Sequence, residues 1–274
     1  MRRREFLIAA ALIPGVAMAA PAAEPWPRWQ AHDPNSARDI DHAAWDAILD
    51  KYRRESPDGI ARFAYDALAA SREDRASLKA YLTALAATPI SAYGRGAQMA
   101  FWIDLYNALT IDVVIDHWPV ASIRDIRISP GWFSVGPWGR KLIAVEGEQV
   151  SLDDIEHRIL RPLWRDPRVH YAVNCASIGC PNLPARAVTA ANLEATLAAG
   201  ARDFVNHPRG CRIDGGRLRV SSIYEWFKAD FGGTDSGVIA HLREHAAPDL
   251  ARALESVALI SGHDYDWAIN RAPA

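Results

Sequence analysis

The longest apolar stretch of the sequence is the feature that most constrains the fold. It runs from about Gly94 to His117 and contains AFWIDLYNALTIDVVIDHW. Its large apolar residues recur every three or four positions and fall on one helical face: Trp102, Tyr106, Leu109 and Val113. This spacing predicts a long helix with one buried face. The helix should end before Pro119, because proline cannot continue it.

Shorter patterns on both sides of this helix predict an α+β fold, with helices packed around a small mixed or antiparallel sheet. The other predicted helices share apolar positions at helical spacing; they lie near residues 43–49, 78–85, 151–164 and 189–204, with three more after residue 222. The predicted strands share alternation or a short apolar run: they flank turns at 146–148 and 214–216, cover 168–174, and end the chain in LISGHDYDWAIN. We predict a single globular domain over residues 41–274.

The first 40 residues predict export. Basic residues precede an apolar run and small residues follow it, in the order Arg2, Arg3, Arg4, Phe6 to Ile13, Ala17 and Ala19. This order is typical of a secretory signal over residues 1–19, and the paired arginines match the twin-arginine pattern. The Pro/Ala-rich lead in residues 20–40 is predicted to be a tether. The mature protein is expected in the periplasm without a transmembrane segment, since the apolar run is far shorter than the roughly 20 residues that span a bilayer.

Charge and cysteine content narrow the possible partners. The chain has 31 basic and 33 acidic side chains and no basic stripe beyond the signal, so no nucleic acid partner is expected. Three cysteines are too few for a disulfide scaffold, and because the number is odd at least one thiol should be free. We expect no cofactor.

The stretch HYAVNCASIGCPNL, residues 170–183, holds two candidate nucleophiles. Cys175 follows the predicted strand, and ligands commonly bind at the carboxyl ends of strands in open α/β sheets. Cys180 precedes Pro181, which suits the first turn of a helix, where free N–H groups favour a thiolate. We rank Cys175 narrowly first. Cys211 opens a predicted hairpin and is expected to be a buried structural thiol.

A thiol nucleophile needs an imidazole to take its proton and a third group to orient that ring. His157 lies on the predicted helix that Ser151 caps, and Asp153 and Asp154 stand four and three residues before it, where they can hold the ring. Glu156 points elsewhere on that helix, so we expect it to face substrate or a second partner. A surface or satisfied core position is the alternative for His157.

His170 is predicted to bind substrate rather than to act as the base for Cys175. On a strand the two residues belong to opposite faces, about 17 Å apart at about 3.3 Å per residue. Asn174 and Ser177 are further binding candidates, because the small residues of the 176–179 loop let backbone N–H groups turn inward as an oxyanion hole requires. Asn107 either orients a histidine, donates to an oxyanion, or makes an ordinary buried hydrogen bond.

Several segments together resemble the family called domain of unknown function 547, which occurs in bacterial envelope proteins and in plants. They are AFWIDLYNALTI, LDDIEHRILR, HYAVNCASIGCPNL, SSIYEWFKADFGG and YDWAIN, spread from about residue 100 to residue 270 in the family's order. The resemblance implies a papain-like or transglutaminase-like cysteine hydrolase, and it strengthens the assignment of His157 as a catalytic base.

Two functional classes remain. In the first, an exported cysteine-dependent hydrolase or acyltransferase acts on an amide, peptide or thioester of the envelope, with Cys175 or Cys180 as nucleophile. In the second, a non-catalytic periplasmic module binds a peptide or protein and carries a structural Cys175–Cys180 disulfide, which the oxidising compartment favours. A zinc site built from these thiols and the two histidines is a weaker alternative, because the cysteines lack the usual two-residue gap.

Overall fold

The computed structural model describes residues 21–131 and 134–273. The predicted signal peptide therefore lies outside the described residues. The α-helices of the described chain are α1 (Ala43–Tyr52), α2 (Tyr65–Ala70), α3 (Arg72–Ala86), α4 (Arg95–Asp116), α5 (Arg161–Trp164), α6 (Leu193–Val205), α7 (Ile223–Trp226), α8 (Asp235–His245) and α9 (Pro248–Leu254). Short 3₁₀ helices cover Pro27–Gln30, Ile90–Ala92, Ile123–Asp125, Pro167–Tyr171 and Lys228–Phe231.

The strands form small sheets, which confirms the α+β class. They are β1 (Arg53–Arg54), β2 (Arg62–Phe63), β3 (Ile143–Val145), β4 (Glu148–Val150), β5 (Cys211–Asp214), β6 (Arg217–Ser221) and β7 (Ile260–Asp264). The β1–β2 and β3–β4 pairs are antiparallel. In the third sheet β5 pairs antiparallel with β6, and β7 pairs parallel with β6. Both predicted hairpins are present at their predicted turns.

Helix α4 has the predicted bounds but is buried on every side, not on one face. All residues from Ala97 to Ile115 are buried. The other elements surround this helix, so its polar side chains need partners inside the protein. Asp104, for example, accepts a hydrogen bond from the Val188 N–H at 2.9 Å. No helix in residues 21–131 or 134–273 combines the length and the apolar character that a membrane-spanning helix requires.

The strand predicted over residues 168–174 is wrong. Pro167–Tyr171 is a 3₁₀ helix instead, capped by Asp166, whose carboxylate accepts from the Arg168 N–H at 2.9 Å. Proline at the first helical position and a capping aspartate before it both favour this start. A short buried apolar run fits either element, so its pattern alone does not distinguish them.

The structure also differs from the tether predicted for residues 20–40. Pro27–Gln30 is helical, and the Trp29 side chain is 2% exposed. Its ring packs edge-on against Trp102 of α4, with 4.9 Å between centroids. The Pro/Ala-rich composition predicts a tether, but the buried Trp29 side chain fixes this segment to α4.

The helix predicted over residues 151–164 is present but widened. Ser151 caps it as expected, since its Oγ accepts from the Asp154 N–H at 3.1 Å. Asp154–Leu160 is a π-helix that runs directly into α5. In it the Arg161 N–H bonds to the Glu156 carbonyl five residues earlier. Such widened turns are rare in proteins, and those that exist are frequently found at functional sites.

Apolar side chains form two clusters, and the space between them positions the site. The first surrounds α4 and includes α1, α3 and the apolar residues of the π-helix. The second joins α6, β5, β6, α7 and α8. Helix α6 packs closely on the Pro167–Tyr171 helix: a Cβ added to Gly200 would lie 2.9 Å from the Tyr171 carbonyl oxygen.

This close approach predicts that Gly200→Ala is destabilising. Helix propensity alone would stabilise the protein by about 1 kcal/mol, but overpacking against a backbone carbonyl should reverse the sign and cost about 1–3 kcal/mol. Urea unfolding midpoints at constant m measure the change. The control is Ala195→Gly at an exposed position of the same helix, which reports propensity alone. A Gly200→Ala variant as stable as the parent or more stable would contradict the prediction.

Candidate active site

A cleft of about 470 Å³ opens between the two apolar clusters. Its lining joins the two motif thiols, a set of acids and imidazoles, and a set of aromatic rings: Cys175, Cys180, Asp153, Glu156, His157, His170, Tyr106, Trp138, Trp226, Phe227, Tyr265 and Trp267. All predicted catalytic residues therefore face one cavity. Trp102 and Tyr106, which the sequence predicts on the buried face of the long helix, are buried, whereas Trp226 and Trp267 are half-buried in the cleft wall.

Two asparagines hold the backbone of the cysteine loop. Asn107 on α4 donates to the Ala172 carbonyl at 2.9 Å and accepts from the Asn174 N–H at 2.8 Å. The Asn174 side chain in turn donates to the Pro181 carbonyl at 2.7 Å and accepts from the Ala176 N–H at 2.8 Å. Both side chains are thus occupied by backbone groups. Asn107 makes the ordinary buried hydrogen bonds of the third alternative.

Cys175 lies in a constrained turn and is met by hydroxyl groups. Ala176 has a φ of 62°, which is uncommon for a residue with a side chain. The Cys175 Sγ lies 3.2 Å from the Ser177 Oγ and 3.1 Å from the Tyr265 hydroxyl. Hydrogen bonding with Cys180 and with these hydroxyls lowers the pKa of the Cys175 thiol despite its burial. The half-buried Cys175 is therefore the thiol with the greater thiolate character.

Cys180 has the opposite environment. It is buried, it accepts the Cys175 N–H at 3.0 Å, and burial together with the neighbouring thiol raises its pKa well above the ordinary value. It does not begin a helix, contrary to the prediction. All three cysteines are free thiols, so the Cys175–Cys180 disulfide is not formed. Cys211 lies in the second core, where burial raises its pKa to about 12.

Three of the four N–H groups of the 176–179 loop, where the sequence predicts an oxyanion hole, donate to other groups of the protein. The N–H groups of Ile178 and Gly179 donate to the carbonyls of Ala268 and Asp266, both at 2.8 Å. They tie the loop to the C-terminal segment, and the Ala176 N–H is held by Asn174. Side-chain hydroxyls, above all that of Tyr265, are left as donors near the sulfur.

His170 is clamped between two carboxylates. Its Nε2 lies 2.8 Å from Asp230 Oδ2, its Nδ1 lies 3.5 Å from Glu156 Oε1, and its ring stacks on Phe227 at 4.2 Å. Burial would lower its pKa, but the hydrogen bonds to Asp230 and Glu156 outweigh burial and raise it. We therefore assign an imidazolium here. Residues 167–171 form a 3₁₀ helix, so His170 and Cys175 do not lie on opposite faces of a strand as predicted.

Glu156 is the buried anion of this set. Burial would raise its pKa, but the electrostatic effect of the neighbouring His157 and the hydrogen bond with His170 lower the pKa to about 2. Tyr106 donates a hydrogen bond to its Oε2 at 3.2 Å. Glu156 thus contacts His170 directly and lies in the cleft wall.

His157 lies beside Arg161 and Asp153. Its Nδ1 is 3.1 Å from the Arg161 Nη1, which can only donate, and its Nε2 is 3.6 Å from Asp153 Oδ1. Burial lowers the pKa of His157, which favours the neutral ring. Asp154 does not hold the ring as predicted, because its carboxylate binds Ser151 at 2.6 Å and pairs with Lys141.

Asp153 is the one carboxylate of the cleft whose ionisation is shifted toward neutral pH. Burial raises its pKa to about 6, with further contributions from the charges of Glu156 and Asp154. Its side chain is 42% exposed, so it remains in contact with the cleft solvent. A group with this pKa can exchange a proton with a bound substrate.

Among the described residues, no hydrogen bond joins His157 or His170 to a motif sulfur. The sequence missed the side chains that do organise the cleft. Tyr265 meets the thiol from the end of the chain, and Arg161 pairs with Asp230 at 2.6 Å. Tyr265 and Asp230 lie in two of the segments that carry the family resemblance, which was the available signal.

The close group of possible metal ligands in the described residues lies outside the cleft. In the described part of the chain, one set of side chains has ligand atoms within 4.8 Å of one another: His241, Glu244 and His245 on α8. None of these three lines the cleft. The thiols and histidines of the motif do not form such a set.

Comparisons with known proteins agree with the motifs. No curated protein and no solved structure matches the chain. Residues 90–205 match the model of a family described as "Protein of unknown function, DUF547". This range covers α4, the π-helix and the cysteine loop, and the match supports an assignment to the DUF547 family.

Proposed function

We propose that this protein is a cysteine-dependent hydrolase or acyltransferase that acts on an amide, peptide or thioester, with Cys175 as its nucleophile. The observation that carries the proposal is the contrast between the two thiols of one loop. The sulfur with hydroxyl partners faces the cleft and has a lowered pKa, whereas the pKa of its buried neighbour is raised. A lowered pKa increases the thiolate fraction, and the thiolate is the nucleophile.

The reaction proceeds through an acyl-enzyme. The Cys175 thiolate attacks the carbonyl carbon, a C–S bond forms, and the carbonyl electron pair moves to oxygen, where the Tyr265 hydroxyl can donate to it. Collapse of this oxyanion breaks the bond to the leaving amine or thiol, which takes up a proton. Water, or an amine in acyl transfer, then attacks the thioester and returns Cys175 as a thiolate.

Asp153 and His157 donate and accept the protons of this reaction. With a pKa of about 6, Asp153 can protonate a leaving group and, as a carboxylate, accept the proton of attacking water. The His157 ring, 3.6 Å away, keeps a proton within reach of Asp153. His170 is a fixed cation of the cleft wall in this scheme, because carboxylates face both of its nitrogens.

Cys175 should react with iodoacetamide at lower pH than an ordinary thiol. The thiolate fraction rises as pH passes the thiol pKa, so the labelling midpoint should lie below about 8.5, the value of a free cysteine. Cys180 should label only at higher pH, since its pKa is raised. Mass spectrometry locates the label, Cys175→Ala should abolish the low-pH labelling, and Cys211→Ala should not change it.

The hydroxyl partner supplies an internal test of this prediction. Tyr265→Phe keeps the ring and removes the donor, so the Cys175 labelling midpoint should move to higher pH. Tyr224→Phe is the control, because its hydroxyl contacts Tyr171 at 3.0 Å and the residue does not line the cleft. If both motif thiols label only like ordinary cysteines, the peptide-binding module replaces the hydrolase.

Asp153→Asn should slow deacylation without preventing acylation. With p-nitrophenyl acetate as acyl donor, the parent should release an initial burst equivalent to its Cys175 content and then turn over slowly. The variant should keep the burst and lose about 100-fold in the slow phase, a usual effect of removing a general base. The parental slow phase should increase as pH rises through about 6, where Asp153 becomes a carboxylate. An unchanged slow phase with an unchanged pH profile would exclude this role.

We further propose that the protein acts in the periplasm on peptide- or amide-containing envelope components. The proposal rests on the arginine pair, the apolar run and the Ala17-x-Ala19 site of residues 1–19. N-terminal sequencing of the fractionated protein should find a mature chain that begins near Ala20. Arg3→Lys together with Arg4→Lys should block twin-arginine export and retain the precursor. A wild-type cytoplasmic chain that keeps Met1 would refute export.

A further inference from the structure

One proline leaves two carbonyl groups of the cleft helix without their usual helical donors. Pro162 has no N–H. It stands four residues after Arg158 and five after His157, the positions from which an α- or a π-helical donor would reach those carbonyls. The Arg161 N–H is engaged by the Glu156 carbonyl. The widened helix therefore presents a backbone edge, made of the carbonyls of His157 and Arg158, that we call the ledge.

Residues 21–26 occupy the ledge as an extended peptide. The Glu24 N–H donates to the His157 carbonyl at 3.2 Å, and the Trp26 N–H donates to the Arg158 carbonyl at 2.9 Å. The two donors are alternate residues, as in an added β-strand, where alternate N–H groups point the same way. Pro25 between them has no N–H to leave unsatisfied.

Both ends of this segment are also held. The Arg161 Nη1 donates to the Pro21 carbonyl at 2.8 Å, and the same guanidinium contacts the His157 ring. At the other end, the Arg158 guanidinium lies 4.5 Å from the Trp26 ring centroid, a cation–π contact. Pro21 lines the same cavity as Cys175, so the segment runs from the Trp26 contact into the cleft.

We infer, on the basis of the proposed function, that the ledge is a peptide-binding subsite. Residues 21–26 fill it as an intramolecular ligand. The ligand class of the cleft is therefore an extended peptide. The peptide needs two N–H donors on alternate residues and an aromatic side chain at the position of Trp26. Because Pro21 is the end of the segment in the cleft, the ledge binds the part of a peptide on the carboxyl side of the bond that Cys175 attacks.

The experiment releases the segment and then replaces it. Glu24→Pro removes one of the two N–H donors, and the substituted side chain is exposed. Iodoacetamide labelling of Cys175 at pH 9.5 should be severalfold faster in this variant than in the parent. A synthetic peptide with the sequence of residues 20–28, APAAEPWPR, should return the rate toward the parental value at about 5 mM, since a tethered segment has a millimolar effective concentration.

Matched controls define the opposing outcomes. Ala22→Pro should label like the parent, because neither ledge carbonyl accepts from residue 22. A peptide with proline in place of its glutamate should not protect Cys175. Equal labelling of parent and Glu24→Pro, or equal protection by both peptides, would show that the ledge is not a peptide-binding subsite. A Cys175 labelling midpoint of about 8.5 would instead refute the role of Cys175 as an activated nucleophile. The labelling rates at pH 9.5 would still test whether the ledge binds a peptide.

Discussion

The charge network around His170 joins the two cores, and the shape of the cleft depends on it. Glu156 and Arg161 belong to the widened helix, whereas Asp230 belongs to the 3₁₀ helix beside the second core. Removing one member of a buried charged set commonly costs about 3–5 kcal/mol, because the remaining charge is left uncompensated. The ion pairs of this network therefore connect the two walls of the cleft. This separates the histidine that holds the cleft from the groups that act in it.

Within those walls, the backbone decides which thiol is reactive. The two asparagine clamps set the path of residues 172–181, so that Cys175 meets hydroxyls while Cys180 turns inward. The thiols lie five positions apart, yet burial raises one pKa and hydrogen bonds lower the other. Neither shift needs a histidine in contact with the sulfur. The positive φ of Ala176 is consistent with a turn whose strain is balanced by these clamps.

Local signals in the sequence were sufficient to predict the local structural elements. The bounds of α4, both hairpins and the Ser151 cap follow from spacing, turn residues and capping chemistry within a few positions. The 168–174 segment failed because a short apolar run suits a buried helix as well as a strand. Tyr265 and Asp230 were missed for another reason. They reach Cys175 and His170 across 90 and 60 positions of chain, and such contacts are set by tertiary packing.

Pro162 connects the local helix geometry with the tertiary contacts of the cleft. Within an ordinary helix a proline costs about 3 kcal/mol, partly because a carbonyl loses its donor. Here the carbonyls that it cannot serve receive N–H groups from Glu24 and Trp26 instead. The cost is thereby offset by a segment far away in sequence. The same widening places Arg161 where it contacts Pro21, His157 and Asp230. The helix distortion, the docked segment and the histidine environment are thus one interdependent arrangement, and a change in any of them alters the cleft beside Cys175.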